Sequence, residues 1–257
     1  LLVLLPPSET KRPGGTGGPL DVTALKYPSL NSQRRVLVRA LRALAQDPDA
    51  TMTALKLGRT QSAEVGHNRA LTTSPTMAVL DRYTGVLYDA LDSPTLPAQA
   101  REFAGRHVVV HSALFGPVGA LDLIPAYRMS HDSRLPGLTP KKHWADSITA
   151  ALGDTEGLVL DVRSEAYVAL GAAPAGPGSV FLRIVTETID GHTRALNHFN
   201  KKSKGEFTRA LVRHGQDFGS VAELLDWAAD AGFRLRPGAP GELELVVDQL
   251  VGASARA

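Results

Sequence analysis

Four stretches hold the side chains best suited to chemistry. "PPSETK" places Ser8, Glu9 and Lys11 just beyond the apolar run Leu1–Leu5. "RYTGVLYDAL" sets Tyr83 and Tyr88 around Gly85, in a chain with only five tyrosines. "GALDLIPAYR" puts Asp122, Tyr127 and Arg128 among Leu121, Leu123, Ile124 and Pro125. "HFNKKSKGEFTRALV" gathers Lys201, Lys202 and Lys204 where a helical pattern begins. Amine, phenol, carboxylate and guanidinium are the groups that move protons and hold anions.

Each stretch also has a plainer account. The tyrosines suit a packed turn with half-buried phenols. A carboxylate and a guanidinium amid apolar residues usually pair when buried, so Asp122 and Arg128 read equally well as a structural ion pair. The lysines are harder to explain away. A helix start carries partial positive charge, so each cation there is unfavourable by about 0.3–1 kcal/mol without a counter-ion. An anion reverses the sign, because amides and ammoniums then point at one charge. With Asn200 as the cap, Lys201 and Lys202 fall in the first turn. Arg194 and Asn197 stand on a strand just before it. The alternative is a solvated face.

Other chemistries are excluded or weak. There are no cysteines, so disulfides, thiolate zinc sites and a cysteine nucleophile are ruled out. "HVVVH" is no metal pair: on a strand, His107 and His111 would lie roughly 13 Å apart at about 3.3 Å per residue. No metal and no cofactor is expected. The glycine-rich segment Gly14–Gly18 lacks both the Walker and the dinucleotide patterns and reads as a surface loop. No G-x-S-x-G elbow is present.

The elements that must carry these residues follow from periodicity. Leu1–Leu5, Val108–Ser112 and Leu158–Val162 read as buried strands. Ser32 opens a helix to about Ala45, with Val36, Leu37, Ala40, Leu41 and Leu44 on one face. A helical pair fits Ala50–Leu71, Ser74-Pro75 opens a helix towards Arg82, and Thr139-Pro140 one to Leu152. Val180–Ile189 and His192–His198 flank Asp190-Gly191, a hairpin signal. Ser220 with Glu223 caps a helix to about Ala231, and Glu242–Val247 reads as a last strand. Helices mixed with strands and a hairpin imply an α+β or mixed α/β fold rather than a clean doubly wound sheet: one domain over residues 1–257, a central mixed sheet flanked by helices.

The 257 residues are 43% hydrophobic and 21% charged, ordinary for a soluble globular chain. Net charge is only +2, so nucleic-acid binding would need a local basic patch. The first apolar run is too short for a signal-peptide core or a membrane span. A cytoplasmic location and no membrane partner are expected.

Taken together, "LLVLLPPSETK", "YTGVLYDAL", "SALFGPVGALDLIPAYR", "KKHWADSIT", "LVLDVRSEAY" and "HFNKKSKGEFTRALV" occur in an order that resembles the YaaA family of peroxide-stress proteins. The resemblance covers nearly the whole chain. It implies a single-domain mixed fold, a positively charged cleft, double-stranded DNA binding through that cleft and a helix-hairpin-helix, and a role in limiting oxidative damage. Its characteristic polar positions fall on Ser8, Lys11, Tyr83, Gly85, Asp122, Tyr127, Arg128, Ser164, Tyr167, Lys201, Lys202, Lys204 and Gly205. A helix-hairpin-helix would fall in Ala50–Leu71, with Gly58, Lys56, Arg59 and Arg69. Three departures stand out. Gly119-Ala120 replaces an Arg-Pro pair, Met129-Ser130-His131 replaces Leu-Glu-Met, and Asp161-Val162-Arg163-Ser164 stands where Asn-Leu-Ala-Ser is usual.

Two readings of function follow. In the first, a basic cleft holds DNA phosphates through Ser8, Lys11, Tyr83, Arg128, Ser164, Asn197, Lys201, Lys202 and Lys204. In the second, the same cleft is the active site of an enzyme for a small anionic, nucleotide-like substrate. Its catalytic candidates are Lys11, Tyr83, Asp122 and Tyr127, with Arg128 and Lys202 orienting the anion.

Overall fold

The computed structural model describes residues 1–187, 193–194 and 197–247, with side chains other than those of 187, 193–194 and 197–199. The chain runs β1 (Leu2–Leu5), α1 (Asn31–Leu44), α2 (Pro48–Ala54), α3 (Glu64–Arg69), β2 (Met77–Ala78), α4 (Val79–Arg82), α5 (Val86–Leu91), α6 (Ala98–His107) and β3 (Val108–Ser112). There follow β4 (Gly116–Gly119), β5 (Leu123–Ile124), α7 (Pro140–Gly153), β6 (Val159–Asp161) and α8 (Glu165–Val168). The last elements are β7 (Ser179–Glu187), β8 (Thr193–Arg194), α9 (Asn197–His214), α10 (Val221–Asp230), β9 (Arg234–Pro237) and β10 (Glu242–Val247). No described helix is long and apolar enough to cross a membrane.

The main sheet runs β4-β3-β1-β6-β7-β10-β9, with β8 paired to β7. From β3 to β10 neighbouring strands are parallel. The edge strands β4 and β9, and β8, are antiparallel. A mixed sheet flanked by helices is thus the architecture, but the expectation against a doubly wound sheet fails at its centre, where five neighbouring strands are parallel. Taken in chain order, the parallel strands lie second, first, third, fourth, fifth. That is a doubly wound arrangement in which the order reverses at β1. β1 is apolar throughout because it is covered on both sides. Leu2 and Leu4 point one way, Val3 and Leu5 the other, and none is more than 5% exposed.

Local signals explain most elements. Thr139 stands at the N-cap of α7 with Pro140 in its first turn. The Ser220 side chain accepts from the Glu223 amide at the start of α10. β7 and β8 pair antiparallel, Thr186 opposite Arg194, while the Asp190-Gly191 turn lies outside the described residues. Other expectations need correction. α1 buries Arg34, Leu37, Val38, Leu41 and Leu44, and leaves Val36 40% exposed. The face is turned because the Arg34 guanidinium goes inward, donating to the carbonyls of Phe115, Pro117, Lys26 and Tyr27. Ser74-Pro75 opens no helix; a short strand comes first and only Val79–Arg82 is helical. α9 begins at Asn197 rather than after Asn200, so Asn197 belongs to this helix and not to a strand.

Candidate active site

The carboxyl ends of β1, β3 and β6 converge at the order reversal, the usual site position in such sheets. Beyond β1 the chain makes a short antiparallel contact with the segment after α4: Lys11 bridges Tyr83, and the amides of Arg12 and Thr84 donate to the carbonyls of Arg82 and Thr10. Gly85 permits that approach. Its φ is +95°, and a Cβ there would lie 3.3 Å from the Ser8 hydroxyl. The buried Arg82 guanidinium ties both sides down by donating to the carbonyls of Arg12, Pro75 and Ile124.

Lys11 is half-buried as a residue, with its amine against the tyrosines. The Nζ donates to the Ser8 carbonyl at 3.0 Å and the Glu9 carbonyl at 3.1 Å. It stands 4.1 Å from the centroid of the Tyr127 ring and 5.3 Å from that of Tyr83. Burial lowers its pKa to about 7; the Glu9 carboxylate opposes that shift and the Arg128 guanidinium adds to it. Among the described residues no carboxylate lies within ion-pair distance of the amine.

Beneath the amine runs a chain of hydroxyls. The Tyr83 and Tyr127 oxygens are 2.8 Å apart, and Tyr127 lies 2.7 Å from the Ser112 hydroxyl at the end of β3. Ser112 Oγ also accepts from the amides of Leu114 and Phe115. With both lone pairs engaged, its one proton goes to Tyr127. One phenol of the Tyr127–Tyr83 pair donates to the other, which leaves one phenolic proton of the pair free for a further acceptor. Burial pushes the Tyr83 phenol up to about 12 and that of Tyr127 well above its ordinary value. Both are therefore donors at neutral pH.

Arg128 and Asp122 do not pair. The Arg128 guanidinium meets the Glu9 carboxylate at 3.4 Å. Its backbone is fixed from α3, where the buried Asn68 amide accepts from the Arg128 N–H and donates to the Arg128 carbonyl. Asp122 Oδ2 instead accepts from the amides of Lys26 and Gly119, each at 2.8 Å. It tightens the turn after β4 and has Lys26 and Arg34 as its charged neighbours. Its contacts are structural and none is with Lys11, Tyr83 or Tyr127.

The expected lysine row also divides. Lys201 and Lys202 are exposed, and Lys202 meets Glu206 one turn on at 3.4 Å. Lys204 is 6% exposed and points inward, where its Nζ donates to the Arg163 carbonyl and lies 5.6 Å from the Phe181 ring. Burial lowers its pKa to about 8, against the pull of Asp161. Gly205, next along the helix, lets α9 approach α5: a Cβ on Gly205 would be 2.2 Å from the Leu87 carbonyl oxygen. Ser164 is exposed and precedes α8 as its N-cap. The Asn197 side chain lies outside the described residues. Ser8 reaches Lys11 through its carbonyl, not its hydroxyl.

A second cluster at this edge joins Asp161 and Arg163 to His111. Asp161 and Arg163, both buried, form a two-pronged ion pair at 2.6 and 2.8 Å. Arg163 also donates to His111 Nδ1 at 2.7 Å and to the Gly171 carbonyl. Because arginine can only donate, His111 carries its proton on Nε2, which is buried without a hydrogen-bond partner. Burial and the Arg163 charge hold its pKa well below the usual histidine value. The His111 ring meets Tyr167 edge-on at 5.8 Å, and His131 meets the same tyrosine at 5.4 Å. Among the described residues, no three acidic or histidine side chains are placed to hold a metal ion.

These features define an α/β protein with a five-stranded parallel core and a lysine–tyrosine cluster at its carboxyl edge. Residues 1–239 match the family described as peroxide stress protein YaaA, and the chain belongs to that family. It is 40% identical over 237 residues to a UPF0246 protein of Corynebacterium glutamicum, covering 90% of this chain and 93% of the relative. A UPF0246 protein of Streptomyces coelicolor is 39% identical over 250 residues, 94% of each chain. A UPF0246 protein of Shewanella sediminis is 25% identical over 223 residues, covering 82% of this chain and 86% of the relative.

Proposed function

We propose that this chain is an enzyme acting on a small anionic, nucleotide-like substrate at the carboxyl edge of the sheet. The observation that carries the reading is the Lys11 amine, held by two main-chain carbonyls against the paired Tyr83 and Tyr127. An amine poised near neutrality can accept or release a proton at working pH, and the phenols can only donate there. Lys11 is thus assigned the acid–base role and Tyr83 the role of proton donor, with Tyr127 and Ser112 orienting it. Arg128, held loosely by Glu9, would receive the anion by exchanging one carboxylate for another acid group. Asp122 drops out of the catalytic set.

The DNA-binding reading keeps one specific support. α2 and α3 are short helices joined by a turn in which Lys56 and Arg59 are exposed, in the segment where a helix-hairpin-helix is expected. Against it, Lys204 is buried and Lys56 is paired with Asp132 at 2.5 Å, so fewer cations are available to follow a duplex. Calorimetric titration with a mononucleotide and with a short duplex, at two salt concentrations, separates the readings. An enzyme site requires mononucleotide binding that weakens when Arg128 is replaced by Ala. Duplex binding with a steep salt dependence, in the absence of mononucleotide binding, would establish DNA binding instead.

A further inference from the structure

We propose that Lys11 is a nucleophile as well as a base, and that it forms an imine with an aldehyde or ketone bearing an acidic group. The inference rests on the Lys11 site proposed above and narrows its substrate to carbonyl compounds.

Three features of the geometry support it. First, the amine has two hydrogen-bond acceptors, both neutral carbonyls. A neutral amine has two N–H groups to give, so those two bonds leave its lone pair uncommitted. An ammonium would bring a third N–H and a full charge that no carboxylate of the described residues pairs within ion-pair distance. The Tyr127 ring at 4.1 Å does favour the cation, and this explains an amine balanced between its two forms rather than a permanently neutral one.

Second, imine formation needs a proton donor for the carbonyl oxygen, and the hydroxyl chain ends in one. Ser112 is oriented by two amides and gives its proton to Tyr127, so the Tyr83–Tyr127 pair keeps one phenolic proton to spend outside the chain, and that proton is assigned to Tyr83. A phenol kept protonated by burial, beside an amine kept partly unprotonated by burial, is a pairing suited to addition to a carbonyl. Third, Arg128 stands at the Glu9 carboxylate, close enough to Lys11 to influence its charge. An acidic group on the ligand would take the place of Glu9 there.

The step balances without an oxidant or reductant. The Lys11 nitrogen forms a bond to the carbonyl carbon while the carbonyl oxygen takes the Tyr83 proton. The nitrogen then gives one proton back to the phenolate, leaving a carbinolamine. Loss of its oxygen as water, with one further proton from nitrogen, yields the imine. One amine and one carbonyl become one imine and one water.

The test is reductive trapping on the full chain. Glycolaldehyde phosphate is added at pH 7 with cyanoborohydride, which reduces an imine to a stable amine, and the modified lysines are located by peptide mass spectrometry. The expected result is saturable labelling of Lys11, at least tenfold faster than of exposed Lys201 and Lys202. Tyr83→Phe, which keeps the ring and the lysine, should slow Lys11 labelling about tenfold or more. Inorganic phosphate should compete. Labelling spread over exposed lysines without preference for Lys11, or Lys11 labelling indifferent to Tyr83→Phe, overturns the proposal. Calorimetric binding of phosphate or a mononucleotide, lost in Arg128→Ala, is measured alongside. If it is present while Lys11 stays unlabelled, the imine is refuted and the anion site stands. If both are absent, the site assignment itself fails.

Discussion

The Nζ of Lys11 lies 4.1 Å from the centre of the Tyr127 ring, and the Tyr127 hydroxyl bonds to Tyr83, the residue that Lys11 also bridges through its backbone. Backbone and side chain therefore fix the same pair of neighbours. An amine in that place is less easily protonated than in water, and stability must respond to pH.

The sign follows from proton counts. The folded chain holds the Lys11 proton with a pKa of about 7, whereas the unfolded chain holds it to about 10.5. Between those values the unfolded state binds more protons, so stability from this residue rises with pH and its penalty is full below about pH 7. Lys11→Met, uncharged and of similar length, should be the more stable protein at pH 6. The difference should shrink from pH 7 towards pH 10. Urea unfolding of both proteins at four pH values measures this; a gap that does not change with pH removes the buried-amine account.

Asp161 and Arg163 are both buried, and each is the other's counter-charge. Asp161→Asn alone leaves the Arg163 cation buried without its counter-charge, a loss expected at about 3–5 kcal/mol. Adding Arg163→Ala removes the orphaned charge and should return part of that loss, apart from the cavity it opens. A double-mutant cycle by chemical unfolding gives the coupling energy. Strict additivity would show that the ion pair is not a unit.

Gly205 is the contact point of α5 and α9. Gly205→Ala would place a methyl 2.2 Å from the Leu87 carbonyl oxygen and 2.8 Å from the Ala90 Cβ. Neither neighbour can swing away, so the helices must separate. A loss of about 1–3 kcal/mol is expected, despite the better helix propensity of alanine. Thermal unfolding checks it, and an equal or higher midpoint would contradict the packing argument.

Lys201 and Lys202 are the exposed members of the lysine row, so they alone can be removed without touching the core. Lys202 is exposed and pairs with Glu206, so the enzyme reading leaves the anion to Arg128, and Lys201→Ala with Lys202→Ala should leave mononucleotide binding unchanged. If these residues contact duplex phosphates, the double substitution flattens the slope of log K against log salt by up to about two. Titrations at several salt concentrations decide between these outcomes. Lys204→Ala is a poor test of either, because it empties a buried position beside Arg163 and Phe181.

The amino-acid sequence by itself determined the buried strands, the capped helices α7 and α10, the β7–β8 pairing and the mixed α/β class. Those features come from side-chain periodicity, cap chemistry and turn preference, all set by neighbours a few residues apart. It also singled out Lys11, Tyr83, Tyr127 and Arg128 as chemically capable. Tertiary structure alone decided who meets whom. Placing β1 between β3 and β6 brings Ser112 beneath Tyr127 and His111 onto Arg163, and neither Ser112 nor His111 carries a local sign of that role. The same placement gives Glu9 to Arg128 and leaves Asp122 to two main-chain amides. The packing of α9 beside β7 turns Lys204 inward onto Arg163 and Phe181 while Lys201 and Lys202 stay in water. A side chain's partners depend on strand order and helix contact, which are global properties of the chain. Its capacity for chemistry depends only on its type, and that much is written locally.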